Sequence, residues 1–165
     1  MPLIKTEVVV GEVTTQVLVV SDTIKFCTPV FKLVEERTDV SITDCRVCDG
    51  KVIFNGELQK NIIYKAPPTG CDCREGPVVY HELVLPFAGF VEVPGALPGD
   101  RCQVESAGVR DLCNFFIPLT RDEKGFITCA QQKTVVDVTL KVVRVEQLDV
   151  AVVGPVVDPC NPCRP

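Results

Sequence analysis

The amino-acid sequence predicts an all-β protein, an antiparallel β-sandwich or barrel-like domain with extended N- and C-terminal arms. Valine supplies 30 of the 165 residues, and its branched side chain favours a pleated strand over a helix. Apolar and polar residues alternate along most of the chain, and turn-forming residues separate the alternating segments. Short strands at this spacing are typical of sandwiches and barrels.

The first predicted strands cover residues 4–10 and 12–20, with Gly11 between them. Because glycine tolerates the backbone angles of a bend or bulge, these segments either pair or continue as one bent strand. The apolar residues within 23–36 follow neither the helical period nor the strand period well, and the segment is predicted to be mostly extended. A hairpin follows, in which Asp49-Gly50 forms a tight turn between a strand that ends at Cys48 and one that starts at Lys51.

Strands separated by turn signals are predicted for the middle of the chain. They cover residues 58–65, 78–87, 102–105, 109–117 and 126–130. Gly56 is predicted to interrupt the chain before the first of these strands, and Pro86 to end the second. The Pro- and Gly-rich residues 66–77 are a predicted surface loop, and residues 90–100, which end in a turn-rich stretch, are predicted to form another excursion between strands.

The clearest strand covers residues 135–145. Alternate residues form its apolar face, namely Val136, Val138, Leu140 and Val142. The apolar positions change parity at Val143 and Val145, which a bulge near residue 142 explains. We expect one domain over residues 1–153, with residues 1–10 as a candidate N-terminal arm, and a Pro- and Cys-rich tail over residues 154–165.

Charge and composition argue against several functions. With 17 Lys and Arg against 22 Asp and Glu, the net charge is -5, so no basic patch is expected for nucleic acid. No apolar run reaches the roughly 18 residues of a membrane span, and the first 20 residues alternate rather than form a signal peptide. We therefore expect no nucleic-acid or membrane partner, and no cofactor.

The ten cysteines are the unusual feature of the composition. Cys45 and Cys48 form one CxxC pair, and a second CxxC pair lies in the tail. Two such pairs can bind zinc, but the two pairs stand too far apart in sequence for a knuckle-type site. Neither pair precedes a helical pattern, which argues against a thiol-disulfide catalyst. A zinc site formed by distant pairing in space remains an alternative.

The cysteines divide into two groups by their surroundings. Candidates for disulfides between chains lie in CxC or CxxC pairs, several of them on loop or tail segments: Cys71, Cys73, Cys160, Cys163, Cys45 and Cys48. The others fall singly within apolar segments and are expected to be buried or to form bridges within the chain: Cys27, Cys102, Cys113 and Cys129. No metal ligand is assigned.

No catalytic residue is predicted. His81 is the single histidine, and a solvated or interface role is favoured over that of a triad base. The acidic pairs Glu35-Glu36 and Asp122-Glu123 are interpreted as solvated surface residues rather than a hydrolytic dyad. The chain has no Walker loop, Rossmann fingerprint or nucleophile elbow.

Three blocks of sequence resemble the SPOCS-domain proteins of endospore-forming Firmicutes. They are Lys51-Val-Ile-Phe-Asn-Gly56, Ile62-Ile-Tyr-Lys65 and Pro86-Phe-Ala-Gly-Phe-Val-Glu-Val-Pro-Gly-Ala-Leu-Pro-Gly-Asp100, followed by the strand over residues 132–150. The resemblance implies a β-rich domain of spore-coat and spore-assembly proteins that acts through protein contacts, without catalytic residues. The chain lacks the peptidoglycan-binding LysM module of larger members.

The resemblance and the cysteines together suggest a structural protein of the spore surface, in the coat, exosporium or an appendage. Such proteins are made in the mother cell without a signal peptide and meet oxidising surroundings when it lyses. We expect self-assembly into a fibre or layer by β-strand addition and disulfides between chains. The partners would be further copies of the chain and other coat proteins. The alternatives are a soluble adaptor of coat assembly or a carbohydrate-contacting β-sandwich.

Overall fold

The computed structural model describes residues 3–69 and 76–149, and within them all regular structure is β-strand. The strands are β1 (Leu3–Val20), β2 (Ile24–Val30), β3 (Lys32–Cys48), β4 (Lys51–Lys65), β5 (Val78–Glu92), β6 (Arg101–Arg121) and β7 (Ile127–Asp149). They pair in antiparallel fashion throughout. The predicted all-β class is confirmed.

The strands form two sheets, as expected of a sandwich. Sheet A is centred on β7, which pairs with β6 along one side and with β1 and then β2 along the other. Sheet B is the meander β3-β4-β5. The sheets approach each other at their borders, where β3 lies near β6 and β1 lies near β5.

The core lies between the sheets because alternate residues of β4 and β7 point inward. It contains two apolar clusters. The first is built mainly from Val52, Phe54, Leu58 and Phe87 of sheet B and Val19, Val136, Val138, Leu140 and Val142 of sheet A. The second contains Ile62 and Tyr64 of sheet B and Ile24, Phe26, Val30 and Ala130 of sheet A.

The first predicted strands form one bent strand, which confirms one of the two alternatives. The pairing of β1 with β7 passes from Val9↔Val143 to Gly11↔Val142, so Val10 is an extra residue. The bulge predicted near residue 142 is present, but its extra residue belongs to β1. Both Val142 and Val143 are buried as a result.

Two predicted breaks are wrong, because β4 continues through Gly56 and β5 through Pro86. Gly56 pairs with Phe87, and a Cβ at Gly56 would lie 2.4 Å from that ring. Phe54 covers Gly89 on the paired strand in the same way, at 2.7 Å from a Cβ there. Each ring fills the space beside a glycine. Pro86 is tolerated because β5 is an edge strand.

Strands β6 and β7 are longer than predicted. The predicted segments 102–105 and 109–117 both belong to β6, and 126–130 and 135–145 belong almost entirely to β7. Bulges allow β6 to continue across the positions where the alternation breaks. Residues 3–10, expected as an arm, belong to β1, whereas the predicted tail lies outside the described residues.

Candidate functional site

A two-stranded ribbon extends beyond the two sheets. It consists of residues 3–9 of β1 paired with residues 143–149 of β7, and β6 begins only opposite Val143. Within the described residues, no other strand pairs with either edge of the ribbon beyond this point. Its exposed apolar side chains are Leu3, Ile4, Val9, Val145 and Leu148. Unpaired edges with apolar side chains are suited to the addition of a further strand.

A disulfide joins the two sheets on the side where β3 lies near β6. Cys45 of β3 is bonded to Cys102 of β6, with Cα atoms 6.0 Å apart. For Cys45 this corrects the expectation of a bond between chains. Cys45 pairs with the inward-facing Phe54, so its side chain faces sheet A rather than the solvent.

Four other described cysteines have no disulfide partner among residues 3–69 and 76–149, namely Cys27, Cys48, Cys113 and Cys129. Cys27 is exposed, which differs from the expectation of a buried or bridged side chain. The reason is the alternation of β2, where Phe26 faces the core and Cys27 therefore faces outward. The interchain candidates Cys71, Cys73, Cys160 and Cys163 lie outside the described residues.

A buried polar cluster separates the two apolar clusters of the core. Its centre is Lys60, whose ammonium lies 2.7 Å from Asn114 Oδ1, 2.6 Å from Gln132 Oε1 and 3.5 Å from Glu36 Oε1. The Lys60 side chain is 0% exposed. Burial lowers the pKa of Lys60, and the nearby Glu36 charge opposes this shift. Thr134 completes the cluster by donating to Asn114 Oδ1 at 2.8 Å.

Sequence reasoning missed this cluster. Lys60 stands between Leu58 and Ile62 on the inward-facing set of β4 residues, so its parity in the strand was the available signal. Gln132 interrupts the inward-facing set of β7 in the same way. The interpretation of Glu36 as a solvated residue is wrong, since its side chain is 15% exposed and contacts Lys60.

An arginine clamp holds the connection between β5 and β6. Arg144 of β7 donates to both carboxylate oxygens of Asp100 at 2.8 Å, and to the carbonyl oxygen of Gly95 at 3.0 Å. The amide of Leu97 also donates to Asp100 at 2.9 Å. These bonds fix residues 94–100, where Gly95 and Gly99 have positive φ angles of 85° and 95°.

Low pH is expected to weaken the hydrogen bonds between Arg144 and Asp100. The hydrogen bonds from Arg144 and then from the Leu97 amide hold the pKa of Asp100 below its ordinary value of 3.8. A carboxyl group of this kind stabilises the fold above the unfolded-state pKa, and this contribution is lost as the pH falls through the folded-state pKa. The expected result for Asp100→Asn is a lower free energy of unfolding at neutral pH, and a difference from wild type that shrinks below pH 3.8.

Urea titrations at a series of pH values would measure this difference. Asp22→Asn is a matched control, because Asp22 is an exposed carboxylate on the connection between β1 and β2. We expect the control to follow the wild-type profile. A difference between Asp100→Asn and wild type that stayed constant down to the most acidic sample would contradict the assignment.

The remaining candidate residues offer no reactive arrangement. The His81 ring packs edge-on against Phe26, with centroids 5.3 Å apart, and Asp122 accepts from two backbone amides of its own turn. In the described part of the chain, no group of three or more His, Cys, Asp or Glu is placed to hold a metal ion. That part also contains no helix of the length and apolar character needed to cross a membrane.

Comparison with known proteins places part of the chain in a described family. A family model described as "SipL, SPOCS domain" matches residues 29–112, just over half of the chain. The matched region contains β3, β4, β5 and the first half of β6, and with them the Cys45–Cys102 disulfide. No curated protein and no solved structure matches the chain.

Proposed function

The chain belongs to the SPOCS-domain family, and from this membership we propose that it is a structural protein of the spore surface. The family is a sporulation-associated, non-enzymatic domain. In this proposal the protein is made in the mother cell and self-assembles into a fibre or layer of the coat, the exosporium or an appendage. Strand addition brings the copies together, and disulfides between chains then make the contacts permanent.

The ribbon of residues 3–9 and 143–149 is the observation that carries this proposal. Backbone groups along its open edges can pair with an edge strand of a neighbouring copy, and the exposed apolar side chains add burial to that contact. Strand β5, which lies at one edge of sheet B, is one such edge strand. A contact between two different surfaces that does not close into a ring produces a filament.

Cysteines supply the second part of the proposal. Cys27 is exposed on the outer face of sheet A and has no disulfide partner among the described residues. Cys71, Cys73, Cys160 and Cys163 remain our candidates for bonds between chains, on the sequence argument alone. Once formed, each such bond would stabilise an assembly by about 2–4 kcal/mol.

A second candidate function is that of an adaptor that binds another coat protein. It is favoured by an apolar patch on the outer face of sheet B, where Ile53 and the 65%-exposed Phe90 lie side by side as a cross-strand pair. Exposed apolar patches of this kind often mark protein contacts. Assembly experiments distinguish the two candidates.

Gel electrophoresis of the purified full chain is expected to show high-mass ladders without reductant, which collapse to the 18.1 kDa monomer when reductant is added. Negative-stain microscopy of the same sample should show fibres or sheets. Serine at both Cys160 and Cys163 should leave the assemblies visible but soluble in denaturant. A monomer under both gel conditions and in the microscope would favour the adaptor.

Lysine substitutions test the role of the ribbon itself. Val145→Lys with Leu148→Lys adds charge to exposed positions at the ribbon edge, where charged side chains discourage strand addition. We expect this variant to stay monomeric with an unchanged circular dichroism spectrum. Ile53→Lys, also at an exposed position but on β4, the central strand of sheet B, is the control and should still assemble. Assembly of the ribbon variant at the wild-type level would rule out this contact.

A further inference from the structure

The buried polar cluster brings a primary amine, a carboxamide and a carboxylate together, and assembly makes no use of them. Lys60 Nζ lies 2.7 Å from Oδ1 of Asn114. The Glu36 carboxylate contacts both partners: Oε1 lies 3.5 Å from Lys60 Nζ, and Oε2 accepts from Asn114 Nδ2 at 3.2 Å. Lys60 belongs to sheet B and Asn114 to sheet A, so a bond between them would tie the two sheets together.

The geometry points to an intramolecular isopeptide bond between Lys60 and Asn114, formed with Glu36 as the proton-transfer group. The Lys60 ammonium passes a proton to the Glu36 carboxylate, and the neutral amine attacks Cγ of Asn114. The bond between Nζ and Cγ forms, and the bond between Cγ and Nδ2 breaks. In total, two protons leave Lys60 Nζ and reach Asn114 Nδ2 through Glu36. Nδ2 therefore departs as ammonium. The carboxylate is regenerated, and no oxidant or other reactant is consumed.

The surroundings of Lys60 favour the nucleophilic form of its side chain. Burial lowers the pKa of its amine, which increases the neutral fraction that can attack a carbonyl carbon. Because the amine already touches the Asn114 carboxamide, the attack needs no encounter step, and such positioning removes a large part of the barrier. Glu36 lies within reach of the nitrogen that attacks and the nitrogen that leaves, as a proton-transfer group must.

A hydroxyl group assists at the carbonyl oxygen. Thr134 Oγ1 donates to Asn114 Oδ1 at 2.8 Å, on the oxygen where negative charge develops during attack. Gln132 also presents its amide oxygen to Lys60, at 2.6 Å, but no second donor reaches that oxygen from the described residues. Asn114 is therefore the assigned partner, and Gln132 holds Glu36 in place through an Nε2 to Oε1 bond of 2.7 Å.

Two bulges aim these residues into the core. The β3 register passes from Leu33↔Tyr64 to Glu35↔Ile63, which puts Glu36 opposite the buried Ile62. In β6, residues 110–113 occupy the interval in which β7 has the single residue Val135, and Asn114 resumes pairing opposite the buried Thr134. Bulges often re-aim a side chain beside a reactive site. Two of the three reactive residues, Glu36 and Lys60, lie within the matched family region, and Asn114 lies two residues beyond its end.

Mass spectrometry of the full chain tests the bond. After reduction and denaturation, the folded and purified protein is expected to be lighter than its sequence by one ammonia molecule. Protease digestion should yield a branched peptide that joins the segment containing Lys60 to the segment containing Asn114, with no cleavage after Lys60. A wild-type mass equal to that of the sequence would overturn the proposal, and a branch at Gln132 would overturn the assignment of Asn114.

Control variants distinguish the loss of ammonia that accompanies this bond from other losses of ammonia. The Asn55-Gly56 sequence can also lose ammonia by forming a succinimide, but that product is not branched. Glu36→Gln and Asn114→Ala should restore the full mass, with folding checked by circular dichroism and by an intact Cys45–Cys102 disulfide. Asn61→Ala changes an asparagine adjacent to Lys60 in sequence but outside the cluster, and it should keep the mass deficit. A deficit that persisted in Asn114→Ala would contradict the assignment.

Discussion

Replacing Cys45 by alanine is expected to lower the free energy of unfolding by about 3–4 kcal/mol. The Cys45–Cys102 disulfide links residues 57 positions apart, and the loop-closure entropy that it removes from the unfolded chain has this size. A loss of this order lowers the midpoint of thermal unfolding by roughly 10 °C for a domain of this length. Guanidinium titration of the monomer, monitored by circular dichroism, measures the change.

Cys48→Ala is the matched control, since Cys48 lies on the same strand and has no disulfide partner among the described residues. We expect a change within about 0.5 kcal/mol for this partly exposed position. The double variant at Cys45 and Cys102 should be no less stable than Cys45→Ala, because both changes remove one bond. A Cys45→Ala protein with wild-type stability would show that the bond does not form.

Gly56→Ala is expected to destabilise the fold by about 2–3 kcal/mol through overpacking of the core. The new Cβ would lie 2.4 Å from the Phe87 ring and 2.8 Å from the backbone oxygen of Ser41. The ring is buried and the backbone belongs to the paired strand, so neither can move without disturbing sheet B. Gly89→Ala meets the Phe54 ring at 2.7 Å and should show a similar loss.

Gly108→Ala provides a control of the opposite sign. No atom lies within 4 Å of a Cβ at Gly108, and its φ angle is not positive. Alanine there restricts the unfolded chain and is expected to stabilise the protein by about 0.4–1 kcal/mol. Phe87→Leu combined with Gly56→Ala should recover part of the loss, because the smaller side chain leaves room for the methyl group. Equal effects at Gly56 and Gly108 would refute the steric explanation.

The strand content was predictable because it depends on local patterns. The alternation in residues 135–145 and its change of parity at Val143 indicated a strand with a bulge, and both are present. Asp49-Gly50 indicated the hairpin, which pairs Cys48 with Lys51. These signals are contained within a few residues of sequence, so a single chain is enough to detect them.

Features that depend on distant partners were not predictable in the same way. The local sequence around Gly56 predicts a strand break. The strand continues because Phe87, which is distant in sequence, lies beside this glycine. Cys45 was expected to bond another chain, because its partner belongs to a strand of the other sheet. Glu36 was interpreted as solvated, since a bulge two residues earlier reverses the face on which it lies.

The central position of β7 in sheet A has a consequence for biosynthesis. Each strand of sheet B joins a neighbour in sequence, so the meander can form while the ribosome is still translating. β1, by contrast, pairs residue by residue with β7, from Val20↔Lys133 to Leu3↔Asp149. Its 18 residues therefore emerge before the other described strands and wait unpaired until β7 is made. During this interval nascent chains on one polysome expose matching apolar strands to each other, which makes chaperone protection of β1 important for yield.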